Sequence, residues 1–244
     1  MDWLSRTRLL VGEEGLRRLQ GSRVAVFGLG GVGGAAAWAL GRSGIGGLTL
    51  VDFDLVSASN LNRQMVALAD NLGVSKVQAA AQMLRAFNPS VELSLRCERA
   101  CEENIPSLVA GADFVADCID DVPAKCALIA HCTREGIPIV SSMGAGNRLD
   151  PSAFRVMDLY ETCYDGLARA LRGRLRKLGV RSLPVVCSLE PPLRVGVQEE
   201  GRRSPGSIAF VPPAAGLVLA GEICRRIVAG PGEDPAATNP GKGG

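Results

Sequence analysis

The apolar run Arg23-Val24-Ala25-Val26-Phe27 ends in Gly28-Leu29-Gly30-Gly31-Val32-Gly33, and an alanine-rich segment from Ala35 to Leu40 follows at once. This order reads as strand, tight turn, helix. Glycine accepts positive φ and carries no Cβ, so the backbone at Gly28, Gly30, Gly31 and Gly33 can approach a phosphate whose charge the helix N-terminus favours. A plain βα turn with no ligand would have the same sequence, so residues further along the chain decide between the two.

The helix predicted over about 31–42 stops in Ser43-Gly44-Ile45-Gly46-Gly47, and Leu48-Thr49-Leu50-Val51 then reads as a buried strand. Asp52 closes this βαβ unit 19 positions beyond Gly33. Such folds place there an acid that accepts hydrogen bonds from a ribose hydroxyl. To this point a hydride-transfer enzyme fits equally well. The next segment disfavours one. Asp52-Phe53-Asp54 runs into Ser59-Asn60-Leu61-Asn62-Arg63-Gln64, and Gly73-Val74-Ser75-Lys76 opens a helix predicted over 76–87. A glycine turn largely satisfies a diphosphate by itself. Two added cations, Arg63 and Lys76, suit a triphosphate cleaved between its α and β phosphates, because the departing pyrophosphate needs donors. Taken singly, each also reads as ordinary surface charge.

Further along, strands are predicted over 91–95, 113–119 and 137–142, with helices around 102–110 and over 122–135. The alternation predicts an α/β chain: a Rossmann-like, doubly wound, mostly parallel sheet with flanking helices. Acids at the carboxyl end of a parallel strand lie on the ligand rim, so Asp120 suits a hard divalent ion shared with substrate phosphates. Asp121 reads as well as a helix cap. The expected organisation is a single domain over 1–229 and a disordered Pro/Gly-rich tail over 230–244. Residues 5–20 read as one or two short helices packed on the domain edge. About 158–186 forms a helical crossover without a clear sheet strand, 206–211 a strand, and 214–228 an apolar helix.

Composition sets few further bounds. The chain is 47% hydrophobic, which supplies a core, and its formal charge of +2 neither favours nor excludes nucleic acid. No apolar run approaches the ~20 residues of a membrane span, and the first residues lack a signal-peptide core, so a cytoplasmic protein is expected. None of the eight cysteines stands in C-x-x-C spacing, and most read as buried thiols. Within the crossover, Leu167, Leu171, Leu175 and Leu178 form a stripe among Arg169, Arg172, Arg174, Arg176 and Lys177. This basic amphipathic helix suits a tRNA backbone or an anionic inner-membrane surface, and equally a solvated face.

Taken together, Gly28-Leu-Gly-Gly-Val-Gly33, Asp52-Phe-Asp54, Asn60-Leu-Asn-Arg63-Gln64, Lys76 and Asp117-Cys-Ile-Asp120 resemble the ThiF/MoeB/HesA superfamily of ATP-dependent activating enzymes. The resemblance implies an ATP site of Gly28, Gly30, Gly31, Gly33, Asp52, Asp54, Asn60, Arg63, Gln64 and Lys76. It also implies Mg2+ at Asp120, a homodimer, and an N-terminal arginine that reaches the partner's ATP, for which Arg6 matches better than Arg8. Arg6, Arg63, Lys76 and Asp120 would carry the catalysis. The second half resembles the TcdA branch, the tRNA threonylcarbamoyladenosine dehydratases, through Met143-Gly-Ala-Gly146, Leu149-Asp-Pro151, Val185 to Pro192 and Gly206 to Pro212. That branch implies tRNA carrying threonylcarbamoyladenosine as substrate and leaves a cysteine desulfurase or sulfur-acceptor partner open. The alternatives are adenylation of a ubiquitin-like sulfur-carrier C-terminus and nucleotide binding without turnover.

Overall fold

The computed structural model describes residues 2–195, 197–199 and 202–230, with the backbone alone for 197–199 and 202–204. The expected tail beyond 230, and the side chains of Arg202 and Arg203, lie outside the described residues. The chain opens with α1 (Ser5–Gly21), which is two helical pieces merged across Gly12 at φ 73°, ψ 175°. Leu16 and Leu19 of the second piece are buried, whereas Leu9 and Leu10 of the first are 86% and 79% exposed. Only the second piece packs on the domain edge with its leucines.

Then come β1 (Arg23–Phe27), α2 (Gly31–Arg42), β2 (Gly47–Val51), α3 (Lys76–Arg85), β3 (Glu92–Arg96), the short α4 (Ile105–Leu108), β4 (Phe114–Asp117), α5 (Val122–Glu135) and β5 (Ile139–Ser142). Beyond them lie β6 (Phe154–Asp158), α6 (Gly166–Lys177), β7 (Pro184–Ser188), a hairpin of β8 (Val197–Glu199) and β9 (Arg202–Ser204), and α7 (Val211–Ala229). Seven strands form one sheet in the order β3-β2-β1-β4-β5-β7-β6, parallel throughout except for the antiparallel β6–β7 edge. Successive side chains of β1 serve opposite faces. Val24 and Val26 pack with Leu19, Leu40, Leu84 and Ile223, while Ala25 and Phe27 pack with Val115, Leu128, Ile129 and Leu171. A strand covered on both faces is apolar at every position, which is why its sequence shows a continuous run rather than an alternation.

Three expectations need correction. The region around 158–186 does hold sheet strand, since β7 begins at Pro184 and β6 ends at Asp158. The helix α6 dominates that sequence and its arginines hide the short flanking strands. Residues 206–211 are not a strand: 205–208 are irregular, 209–210 turn, and Val211 already begins α7. Pro212 and Pro213 sit in the first turn of that helix, where a missing N–H costs nothing because the first amides have no intrahelical partner. The helix around 102–110 shortens to the single turn of α4.

Candidate active site

The sheet order reverses at β1. The chain winds from β1 through β2 to β3 on one side, then crosses to β4 on the other, so the carboxyl ends of β1 and β4 open a crevice. The glycine turn fills one wall. Gly28 leaves β1 at φ 82°, its N–H held by the Val51 carbonyl at 2.8 Å. Gly33 comes so close to that turn that a Cβ on it would stand 1.7 Å from the Gly28 oxygen. Gly30 is different, because the nearest atom to a Cβ there would be Gln64 Nε2 at 4.0 Å. Its missing side chain is no packing requirement and leaves the backbone open to an anion, at the point where the first amides of α2 lack partners.

Asp52 ends β2 beside this turn. Its Oδ2 accepts the Leu29 N–H at 2.6 Å and its Oδ1 the Asp54 N–H at 2.8 Å. Burial pushes the carboxyl above the ordinary carboxylate value, and the two amide bonds and Lys76 oppose that shift. Each oxygen keeps a lone pair for a hydroxyl. Lys76, buried at the start of α3, places Nζ 2.8 Å from Asp54 Oδ2. Arg63 donates from Nη1 to the Ser59 carbonyl at 2.7 Å and to Asn62 Oδ1 at 2.9 Å, and its own carbonyl stands 3.3 Å from where a Cβ on Gly31 would be. Asn60 is buried and locally engaged, its Oδ1 accepting the Ser57 N–H at 3.1 Å. Gln64 is buried too, and its Oε1 has no hydrogen-bond partner among the described residues. With its amide beside Gly30, Gln64 suits that wall to a hydrogen-bonding ligand.

Asp120 stands on the opposite wall, exposed, in the loop after β4. Beneath it lies a network that the sequence reading missed. Asp117 Oδ2 accepts Ser141 Oγ at 2.5 Å and pairs with Lys125 Nζ at 2.9 Å, with both members of the ion pair fully buried. Lys125 Nζ also donates to the Ile119 carbonyl at 2.9 Å, and the Ile119 N–H donates to Asp117 Oδ1 at 3.1 Å. The backbone before Asp120 is thereby pinned. The one local signal is a lysine on a helix face four residues after a capping acid. Asp121 is that cap, accepting the Ala124 N–H at 3.0 Å. Among the described residues no three His, Cys, Asp or Glu side chains cluster. A divalent ion at Asp120 would take its other ligands from phosphates and water.

Arg6 is not gathered into this crevice. Leu4 packs against Gly44 at the far end of α2, about 18 Å from the glycine turn for a helix of this length. Arg6 is exposed and makes no ion pair among the described residues, whereas Arg8 pairs with Asp2 and Glu13. On α6, Leu171 and Leu175 are buried and Leu178 is not. Arg172 is turned inward, donating to the Thr162 carbonyl at 2.8 Å and its Oγ1 at 2.7 Å. Arg169, Arg174, Arg176 and Lys177 are exposed. Of the cysteines, Cys126, Cys132 and Cys187 are buried, and Cys97, Cys101 and Cys163 are exposed.

The model of the ThiF family matches residues 4–239. The chain belongs to the ThiF family. Among ThiF-family proteins, it is 38% identical over 233 residues to the tRNA threonylcarbamoyladenosine dehydratase of Bacillus subtilis, covering 90% of this chain and 92% of that one. The structure of the Escherichia coli tRNA N6-threonylcarbamoyladenosine dehydratase, TcdA, in complex with ATP superposes with a TM-score of 0.85 at 34% identity, covering 93% of each chain. The complex of the same enzyme with AMP gives 0.84 at 36% identity, covering 92% of this chain and 93% of that one. The fold, with its mostly parallel seven-stranded sheet, is the one these enzymes share.

Proposed function

We propose that this chain is an ATP-dependent tRNA threonylcarbamoyladenosine dehydratase. What supports the reading is the turn after β1, with its open Gly30, beside buried Asp52 and the Lys76–Asp54 pair. The near full-length likeness to dehydratases favours it over adenylation of a sulfur carrier, and so does the lack of paired C-x-x-C motifs.

In the reaction, the threonyl carboxylate of the modified adenosine attacks the α-phosphate of ATP and pyrophosphate leaves. A nucleophile within the same group then closes a ring and expels AMP, so the net change is loss of one water. Asp52 orients the nucleotide through the ribose. Arg63 and Lys76 meet the charge that grows on the departing pyrophosphate. Mg2+ at Asp120 would neutralise the phosphate oxygens. The second step is intramolecular, so proximity replaces a catalytic cysteine. The buried Cys187 agrees with this, since burial pushes its thiol up to about 12.

Arg169, Arg174, Arg176 and Lys177 offer an exposed basic face to the tRNA backbone, and Arg172 holds the helix in place. The homodimer belongs to the same proposal. Arg6, remote from its own crevice on a piece of helix that exposes Leu9 and Leu10, would serve the partner's. Release of AMP that depends on tRNA bearing threonylcarbamoyladenosine tests the reading. AMP release driven instead by a ubiquitin-like protein, with tRNA inert, would overturn it.

A further inference from the structure

After β5 the chain turns through Gly144 to Asn147 and reaches Arg148, a buried arginine that the phosphate cradle does not use. Its guanidinium is enclosed by oxygen. Nε donates to the Gly144 carbonyl at 3.3 Å, Nη1 to the Glu190 carbonyl, and Nη2 to the Tyr164 carbonyl at 3.1 Å and Asp165 Oδ2 at 3.2 Å. Asp165 in turn accepts the Gly144 N–H at 3.0 Å and, as the cap of α6, the Ala168 N–H at 2.8 Å. One cation thus joins the turn after β5, the start of α6 and the segment after β7.

Its neighbour Asn147, at φ 59°, holds that last segment again and, in addition, the one that leads into α7. Its N–H donates to the Gly206 carbonyl at 2.8 Å, its Oδ1 accepts the Gly206 N–H at 2.6 Å, and its carbonyl accepts the Leu193 N–H at 2.7 Å. The Glu190 carboxylate returns the hold by accepting the N–H groups of Leu149 at 3.1 Å and Asp150 at 2.9 Å. Residues 147–150 therefore clasp both legs of the excursion between β7 and α7, at 190 and 193 on the leading leg and at 206 on the trailing one.

Between the legs lies an open depression of about 610 Å³, lined by Asn147, the run from Pro191 to Val195, and Pro205. The trailing leg continues directly to the phosphate cradle. The Ser207 carbonyl accepts Asn62 Nδ2 at 3.1 Å, and Pro212 Cβ stands 2.8 Å from where a Cβ on Gly31 would be. The segment that borders the depression at Pro205 thus reaches the cradle at Ser207 and Pro212.

We propose that Arg148 is a positioning residue for the acceptor: its caged guanidinium fixes the leading leg, 189–195, and with it the wall against which the modified tRNA nucleoside is seated, without touching ATP. The acceptor's identity rests on the function proposed above, while the clasp itself does not. Removing the guanidinium takes its donors from three carbonyls and leaves the buried Asp165 carboxylate with two backbone amides but no cation, so the leg is released and a small cation of the same shape can refill the cage.

The test uses the full chain and two readouts. In hydrogen exchange, Arg148→Ala is expected to speed exchange of amides in 189–195 about tenfold, with β1 and α2 unchanged. Guanidinium chloride at about 20 mM, far below denaturing concentrations, is expected to slow it again. In turnover, the same variant is expected to raise KM for modified tRNA about tenfold while the Kd of ATP stays within about twofold, and guanidinium is expected to lower that KM. A folded Arg148→Ala chain whose leg stays as protected as the wild type, or whose ATP affinity falls in step with tRNA KM, would overturn the proposal. If Arg148→Ala does not fold, Asn147→Gly keeps the backbone angle and removes only the side-chain bond to Gly206. It is expected to raise tRNA KM with ATP binding intact, and an unchanged KM would count against the clasp. Should the wild type itself leave modified tRNA unaltered, the functional reading fails while the exchange measurement still decides the clasp.

Discussion

At the scale of single residues, Asp52 and Lys76 separate binding from catalysis. A carboxyl held above its ordinary value of 3.8 binds its proton more tightly in the folded chain than in the unfolded one. Ionising it therefore costs folding stability, and that cost is complete once pH exceeds the folded value. Its role toward ribose needs the ionised form. ATP affinity of the wild type, divided by that of Asp52→Asn to remove ATP's own titration, is expected to fall as pH drops from neutral through the raised range of this carboxyl, above that of a free aspartate; a flat ratio would remove Asp52 from the ribose. Lys76→Ala and Asp120→Ala are each expected to cut AMP formation by at least about a hundredfold, the scale of losing one preorganised charge partner. Rapid-quench assays at saturating ATP measure it, and wild-type rates would refute both assignments. The cysteines give a chemical check on burial. Desolvation pushes the thiols of buried Cys132 and Cys187 and of half-buried Cys118 up to about 12, whereas Cys97, Cys101 and Cys163 are exposed. Brief iodoacetamide treatment of the native chain, with peptide mass mapping afterwards, is expected to label the exposed three and spare the other three.

Elements carry the next layer, and here the sequence is legible where chemistry is local. The glycine turn, the helix over 31–42, the cap at Asp121 and the helix over 122–135 all stem from residues adjacent in the chain. The strands β6 and β7 do not show, because β6 has exposed Arg155 on an antiparallel edge and β7 comes after a helix rich in arginine. The stretch 206–211 looks like a strand from its apolar residues, yet its hydrogen bonds go to Asn147 and Asn62 rather than to a ladder. No local pattern discloses such partners. For the same reason Asp117 reads in the sequence only as part of a motif, while its buried pairing with Lys125 of α5 emerges in the fold. Breaking a fully buried pair from one side leaves an uncompensated charge. Lys125→Met is expected to destabilise the chain by about 3 kcal/mol or more in urea denaturation. A loss under about 1 kcal/mol would mean that the pair is not desolvated as described.

Over the whole molecule, the reversal of sheet order between β1 and β4 explains why the glycine turn lies against both Asp52 and the loop that leads to Asp120. The second half of the sheet adds what the glycine turn cannot supply: a clasped excursion beside the cradle and a basic helical face, α6, anchored through Arg172. Among the described residues no helix is long and apolar enough to cross a membrane. The basic face suits a polyanion, and the proposed reaction makes tRNA that polyanion. Cradle, clasp and basic face together are proposed to remove water from a modified nucleoside at the expense of ATP. Mass spectrometry of nucleosides tests this directly, on tRNA bearing threonylcarbamoyladenosine incubated with the chain, ATP and Mg2+, with AMP quantified alongside. The modified nucleoside is expected to lose the mass of one water, with one AMP formed per nucleoside converted. An unaltered nucleoside mass with no tRNA-dependent AMP would contradict the proposed dehydration.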